Sequence, residues 1–264
     1  MSGPTYEVLA MRYGILEPRI QAQNLMMPDD HMASEPLDFL VFAIRGNGRT
    51  IVFDTGFSAE RAARRGRELL RTPQQALADA GIDAATVPEV VLSHMHWDHA
   101  GGMEYFKAAK FHLQEKEMEF CTGVCMCHPH LRRPFDVEDV VDAVRALYAE
   151  RIRFHNGTTE LAPGITAHLV GGHTKGIMCV RVPTARGSVV LAGDSTHLWA
   201  NIRKRNPFPV VVNVEDMLNS YDTLESLADG PDHIIPGHDP LILKRFPTLG
   251  GNKEIVQLHH APVG

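Results

Sequence analysis

Two kinds of apolar pattern alternate along the chain. Tyr6–Arg12, Leu37–Ile44 and Arg49–Phe53 are dense in apolar and aromatic residues, and Gly46-Asn47-Gly48 separates the last two. That combination predicts strands joined by a turn. Apolar runs at Glu89–Ser93, Ile165–Val170, Ile177–Val182, Ser188–Ala192 and His233–Pro236 predict further strands. Helical signals lie between them. Ser58–Leu70 has helical composition, and Thr72-Pro73-Gln74-Gln75 offers an N-cap, a first-turn proline and a capping-box glutamine before a helix that Gly81 ends. Beyond Asp136, a candidate N-cap, Val137, Val140, Val141, Val144, Leu147 and Tyr148 recur at three- and four-residue steps. A last helix is predicted around Val214–Leu227. Ile15–Pro36 shows no period and contains Pro18, Pro28 and Pro36, which predicts a long loop.

Strands followed by helices in the first half, then strands followed by a helix in the second, predict two αβ halves. Their sheets would stack as a four-layer αββα sandwich of the α/β class. No linker rich in Gly, Ser or Pro divides the halves, so 1–264 reads as a single domain. The 264 residues are 44% hydrophobic and 22% charged, a balance that excludes disorder, collagen and coiled coil. The net charge of −6 removes any long-range attraction to nucleic acid or anionic lipid. No apolar run reaches the roughly eighteen residues of a membrane span, and Met1–Gly14 lacks a leader pattern, so the expected location is the cytoplasm. Four cysteines are too few for a disulfide scaffold. Cys121, Cys125 and Cys127, with His128 and His130 after them, match no standard zinc spacing and read as a reduced cluster on a loop.

The chemistry concentrates in Ser93-His94-Met95-His96-Trp97-Asp98-His99-Ala100-Gly101-Gly102. At this composition H-x-H-x-D-H is expected by chance about 0.003 times in the chain, so it marks a mechanism. It begins where an apolar strand ends, which is where α/β sheets present ligands. Alternate residues of an extended segment point the same way, so His94 and His96 can share one ion, while Asp98 and His99 can face a second. Imidazole and carboxylate suit zinc, and also iron, manganese or cobalt. Three further candidates each follow an apolar strand with glycine directly before them: His173, Asp194 and His238.

With these residues and Phe53-Asp54-Thr55-Gly56, the chain resembles the metallo-β-lactamase superfamily over nearly its full length. The phrase from Ser93 to Gly102 is most similar to that of the N-acyl homoserine lactonases. The resemblance implies an αββα sandwich with two divalent metal ions, most simply Zn2+. His94, His96 and His173 would bind one ion, Asp98, His99 and His238 the other, and Asp194 would bridge them. Asp54 would orient these ligands. A metal-bridging hydroxide would open a lactone ring, an N-acyl homoserine lactone or a relative, with Asp98 relaying the proton. Two departures stand out. Seventy-three residues separate His99 from His173, more than in the lactonases, and the surplus falls in 120–155 as an insertion that could cover the metal mouth. The family's tyrosine three residues after the bridging aspartate is His197, which could donate a hydrogen bond to the substrate carbonyl in its place. Leu25, Met26, Met27 and Met32, with Trp97 and Phe120, could wall a hydrophobic substituent.

The alternative is a glyoxalase-II-like thioesterase or a hydrolase of another cyclic ester or amide. The thioesterases, however, carry a basic helical extension, and this chain ends soon after His238. A β-lactamase would lack the bridging aspartate, a nuclease would want basic surface, and oxygen-reducing relatives append a flavin domain. A non-catalytic ligand sensor would show a broken ligand set. The partner expected is a small-molecule lactone, with no nucleic acid or membrane, and with a homodimer left open.

Overall fold

Strands Glu7–Leu16 (β1) and Leu37–Gly46 (β2) are apolar on both faces, and each face meets a different core. The structure, a computed structural model, describes residues 3–263. Side chains alternate sides along a strand. Leu9, Met11, Tyr13, Phe39, Val41 and Ala43 therefore face one core, and Val8, Ala10, Leu40, Phe42 and Ile44 the other.

The remaining strands are Arg49–Phe53 (β3), Glu89–Val91 (β4), Lys110–Gln114 (β5), Ile152–His155 (β6), Thr158–Ala162 (β7), Ile165–Leu169 (β8), Met178–Thr184 (β9), Gly187–Gly193 (β10), Ile234–Pro236 (β11), Thr248–Leu249 (β12) and Asn252–Gln257 (β13). The helices are Ala59–Arg64 (α1), Pro73–Asp79 (α2), Trp97–Ala100 (α3), Glu115–Thr122 (α4), Pro129–Arg132 (α5), Val137–Tyr148 (α6), Trp199–Arg203 (α7), Val214–Leu227 (α8) and Leu241–Arg245 (α9). One sheet has eight strands in the order β12-β13-β1-β2-β3-β4-β5-β6, and the other five in the order β11-β10-β9-β8-β7. Between them lies a core built by Phe42, Phe53 and Val91 of the first sheet and Val180, Val182, Val189, Leu191 and Ile235 of the second. Outside the larger sheet, its second face packs on Ala76 and Leu77 of α2 and Ala143 and Ala146 of α6. Outside the smaller one, Val190 and Ala192 pack on Met217, Tyr221 and Leu224 of α8. These are the four layers expected of an αββα sandwich. Among the described residues no helix is long and apolar enough to cross a membrane.

Several boundaries differ from the sequence reading. The helix expected over 58–70 stops at Arg64, because Gly66 takes a positive φ of 60° and turns the chain. The expected loop over 15–36 is shorter, since β1 runs to Leu16 and an Ile20–Ser34 bridge closes the rest. Helix α6 does not bury its valine stripe: Val137 and Tyr148 are exposed, and the buried line is Asp139, Ala143 and Ala146. Asp139 is tolerated there because Arg61 Nε lies 2.9 Å from its Oδ1. Within 120–155, the last four residues are β6, which pairs with β5 as the edge of the main sheet. The capping box at Thr72 forms as expected, with Gln75 N donating to Thr72 Oγ1 at 3.2 Å and Thr72 N to Gln75 Oε1 at 2.8 Å.

Candidate metal centre

The loops after β4, β8, β10 and β11 converge at one end of the sandwich. The β4 loop carries His94, His96, Asp98 and His99 into the short helix α3, and the other three bring His173, Asp194 and His238. Donor atoms of His94, His96, His173 and Asp194 lie within 4.8 Å of one another, and so do those of Asp98, His99 and His238. Asp194 faces both groups. Its Oδ2 is 3.2 Å from His173 Nε2 and 3.8 Å from His94 Nε2, while its Oδ1 is 2.9 Å from His238 Nε2 and 3.3 Å from His99 Nε2. Close backbone approach makes this possible, since a Cβ on Gly237 would stand 2.8 Å from Asp194 Oδ1.

The outward ring nitrogens fix how the imidazoles present themselves. His99 Nδ1 lies 2.7 Å from Asp54 Oδ2, His173 Nδ1 is 2.7 Å from the Val210 carbonyl, and His238 Nδ1 is 2.8 Å from the Asp38 carbonyl. With Nδ1–H donated outward, each Nε2 turns its lone pair to the centre. Asp54 is itself held by the Ser93 backbone N–H at 2.7 Å and the Ser93 hydroxyl at 2.9 Å.

Burial and crowding by neighbouring histidines push His94 and His96 well below their ordinary range, so both are neutral donors. Burial also opposes charge on His99 and His238. In each case carboxylates outweigh it: Asp194, Asp54 and Asp98 raise His99, and Asp194 and Asp98 raise His238. Burial alone would neutralise Asp194, yet His197, His99, His238 and His173 together hold it well below the usual carboxylate range.

These residues fit a pair of divalent cations. His94 Nε2, His99 Nε2 and Asp194 Oδ1 are buried without a hydrogen-bond partner among the described residues. Leaving such atoms unpaired costs about 1–3 kcal/mol each. A cation that displaces the proton the carboxylates favour on His99, and sits between imidazole lone pairs and the ionised Asp194, satisfies all three.

His197 also enters the centre. Its Nε2 is 3.0 Å from Asp194 Oδ2, its ring stacks on Phe208 at 3.6 Å, and burial brings its pKa down to about 3 against the pull of Asp194. Asp194, His197 and His238 form a third compact donor group. The hydrophobic wall expected for a substituent is not assembled: Met26, Met27 and Met32 are exposed and Leu25 is fully buried, none of them lining the cavity over the centre. Phe120 faces a separate pocket, and Trp97 does line the cavity. The 120–155 segment reaches the site through Arg133 and Pro134, and Phe135 packs on His96 at 4.6 Å between ring centres. The cysteines there join no compact donor group among the described residues.

One residue of the centre had no signal in the sequence. Glu117, inside the run Glu115-Lys116-Glu117-Met118-Glu119, resembles any solvated helix face, yet it is fully buried. Its Oε1 accepts the Met95 N–H at 2.9 Å, and its Oε2 accepts the Thr174 hydroxyl at 2.6 Å and the Gly176 N–H at 3.0 Å. It ties the loop of His94 and His96 to the loop of His173. Gly176 is required at that contact, since a Cβ there would stand 2.1 Å from Glu117 N.

Comparison with known proteins agrees with this architecture. A curated protein named N-acyl homoserine lactonase AttM, from Azorhizobium caulinodans, is 29% identical over 175 residues, 61% of this chain and 61% of its own. N-acyl homoserine lactonase AiiB from Agrobacterium fabrum is 30% identical over 186 residues, 61% of this chain and 63% of its own. The matched region thus spans about three-fifths of each relative's length. The crystal structure of a quorum-quenching N-acyl homoserine lactone lactonase superposes with a TM-score of 0.70 at 20% identity, covering 91% of this chain and 94% of that one. The family model of the metallo-β-lactamase superfamily matches residues 40–238. That stretch contains all seven donors gathered above and most of both sheets, and the chain belongs to the metallo-β-lactamase superfamily.

Proposed function

We propose that the protein is a binuclear metal-dependent hydrolase that opens a lactone ring. The carrying observation is the placement of the Asp194 carboxylate, with one oxygen toward His94 and His173 and the other toward His99 and His238. His94, His96 and His173 would hold one ion, Asp98, His99 and His238 the other, and Asp194 would join them; imidazole with carboxylate suits zinc. When bound, such ions supply Lewis-acid polarisation of an ester carbonyl and acidify water from a pKa of 15.7 toward about 7. The relatives named N-acyl homoserine lactonase support an ester in a ring as the substrate.

In this reading a water oxygen joins the carbonyl carbon, the ring C–O bond breaks, and the proton ends on the departing ring oxygen. Asp98 is half-buried at the edge of the cavity, where its carboxylate can take the proton from water and return it to that oxygen. Trp97, Phe39 and Phe208 exclude water from the cavity walls. His197 lines the same cavity, and losing one oxyanion donor typically costs about 10²–10³ in kcat. The whole chain would act as one hydrolase domain. Its four unpaired cysteines suit a reducing compartment such as the cytoplasm.

The test is turnover of the metal-loaded protein against a panel of lactones, thioesters and β-lactams. Opening of a lactone is expected; turnover of thioesters or β-lactams with every lactone inert overturns the reading. His197→Ala should lower kcat with both ions retained. Loss of an ion instead would assign His197 to holding Asp194.

A further inference from the structure

Three arginines line the cavity that opens over the donor cluster. Arg19, Arg67 and Arg133 line one cavity with Asp98, Asp194 and His238, although the chain as a whole carries a net charge of −6. Among the described residues none of the three has a carboxylate within 4.0 Å. Arg19 is instead held in place by neutral groups: it donates to the Asn24 side chain and to the Gln23 carbonyl at 2.9 Å, and its guanidinium lies 5.3 Å from the centre of the Phe208 ring. Phe208 in turn stacks on His197, so one ring links Arg19 to His197 in the wall of the cavity. Arg67 Nε is buried with no hydrogen-bond partner among the described residues. Arg133 comes from the 120–155 segment, whose position is fixed where Arg65 donates to the Arg133 and Phe135 carbonyls.

Burial, reinforced by the nearby Arg67, brings Arg19 down to about 10, with Asp98 and Glu35 opposing. The planar fork of a guanidinium matches a carboxylate with two parallel hydrogen bonds. The cavity is also small. At about 140 Å³ it falls below the roughly 300–1,000 Å³ of sites for drug-sized ligands, which favours a compact ring over a long acyl chain.

We infer that the site takes a small lactone bearing a carboxylate, which Arg19 and Arg67 grip while the ring ester faces Asp194. This rests on the lactone-opening reading and narrows it to an anionic substrate. Arg133, exposed at the rim, guides the anion inward, and the product is a hydroxy-dicarboxylate.

The metal-loaded protein should be assayed with γ-carboxy-γ-butyrolactone, its uncharged carboxamide, and γ-butyrolactone. The carboxylate is expected to exceed the carboxamide in kcat/KM by about 10–100-fold, the range of charge-assisted hydrogen bonds. Arg19→Gln and Arg67→Gln should collapse that ratio toward one, chiefly through KM, and Arg19→Lys should restore part of it. Circular dichroism establishes that each variant is folded. Independently of turnover, calorimetry should show α-hydroxyglutarate binding that weakens at least tenfold in either glutamine variant.

Lactone turnover with no preference for the carboxylate, or variants that slow carboxylate and carboxamide alike, overturns this inference and leaves lactone opening standing. Arginine-dependent binding of α-hydroxyglutarate with every lactone inert supports the anion site and overturns the reaction. Binding that ignores both arginines overturns the anion site.

Discussion

Glu117 Oε2 accepts a 2.6 Å hydrogen bond from Thr174 Oγ1, one residue beyond His173, while its other oxygen holds the backbone between His94 and His96. A single buried carboxylate therefore sets the spacing of two loops that share one donor group. Removing it leaves two backbone N–H groups and a hydroxyl without partners. Glu117→Ala should weaken metal binding by about 10–100-fold, the usual effect of losing a group that orients ligands. Glu117→Gln keeps the volume and should fall between. Competition against a fluorescent chelator measures both, and wild-type affinity in Glu117→Ala would refute the clasp.

Asp194 is the one donor that faces both groups, so its charge acts on both sites. Elemental analysis should find two ions per chain in the wild-type protein. Asp194→Asn should lose more metal than His173→Ala or His238→Ala, each of which strips one group. A chelator should lower the melting temperature, because ions that bind only the folded state stabilise it by mass action. One ion per chain after reconstitution with zinc, cobalt or manganese would contradict the binuclear reading.

On the strand beside β4, His112 and its neighbour His155 give the protein an acid-sensitive joint between β5 and β6. His112 Nδ1 is 2.9 Å from His155 Nε2, with Glu89 and Arg153 beside the pair. Burial, then His155 and Arg153, bring His112 down to about 4. A histidine whose folded pKa lies below its unfolded value binds fewer protons when folded. Its contribution is thus complete above about pH 6.5 and is lost as the pH falls toward 4. A shift of this size corresponds to on the order of 3 kcal/mol, most of it expressed between pH 7 and pH 4.5. Denaturant unfolding at pH 7 and pH 4.5 should show His112→Gln losing less stability on acidification than wild type by about that amount. Equal losses would refute it.

The cysteines should react in order of burial. Cys127 is exposed and Cys125 half-buried, whereas burial pushes both Cys121 and Cys179 up to about 12. Thiol reagents should label Cys127 first and leave Cys121 and Cys179 protected until the protein unfolds. The Cys125→Ser, Cys127→Ser double variant should keep both ions. Loss of a third metal equivalent would reveal a site there.

How much of this could be read in advance depended on whether the information was local. Thr72-Pro73-Gln74-Gln75 and Val214–Leu227 are specified by their own residues, and both formed as expected. His94 to His99 announce themselves by spacing. His173, Asp194 and His238 are each a single polar residue after an apolar strand, and the family resemblance was needed to group them. Glu117 was invisible because its burial is decided by loops far away in sequence. The β6 and β7 strands were missed because Arg153 and Glu160 interrupt their apolar pattern at positions next to water, and β5 because its polar His112 and Gln114 are buried. The valine stripe of α6 misled for a related reason, since a buried Asp139 is affordable only with Arg61 beside it.

The donor groups belong to loops on different sheets: His94, His96, Asp98 and His99 follow a strand of the larger sheet, while His173, Asp194 and His238 leave strands of the smaller. Any ion shared between them is a crosslink, closing about 100 residues between His94 and Asp194 in one group and about 140, more than half the chain, between Asp98 and His238 in the other. It does for this protein what a long-range disulfide does for a secreted domain, restricting the unfolded chain and pinning two layers face to face. The strap is reversible and opens to chelators where a disulfide would open to thiols. Metal supply would then set how firmly the two halves of the sandwich are held together, as well as whether the site can react.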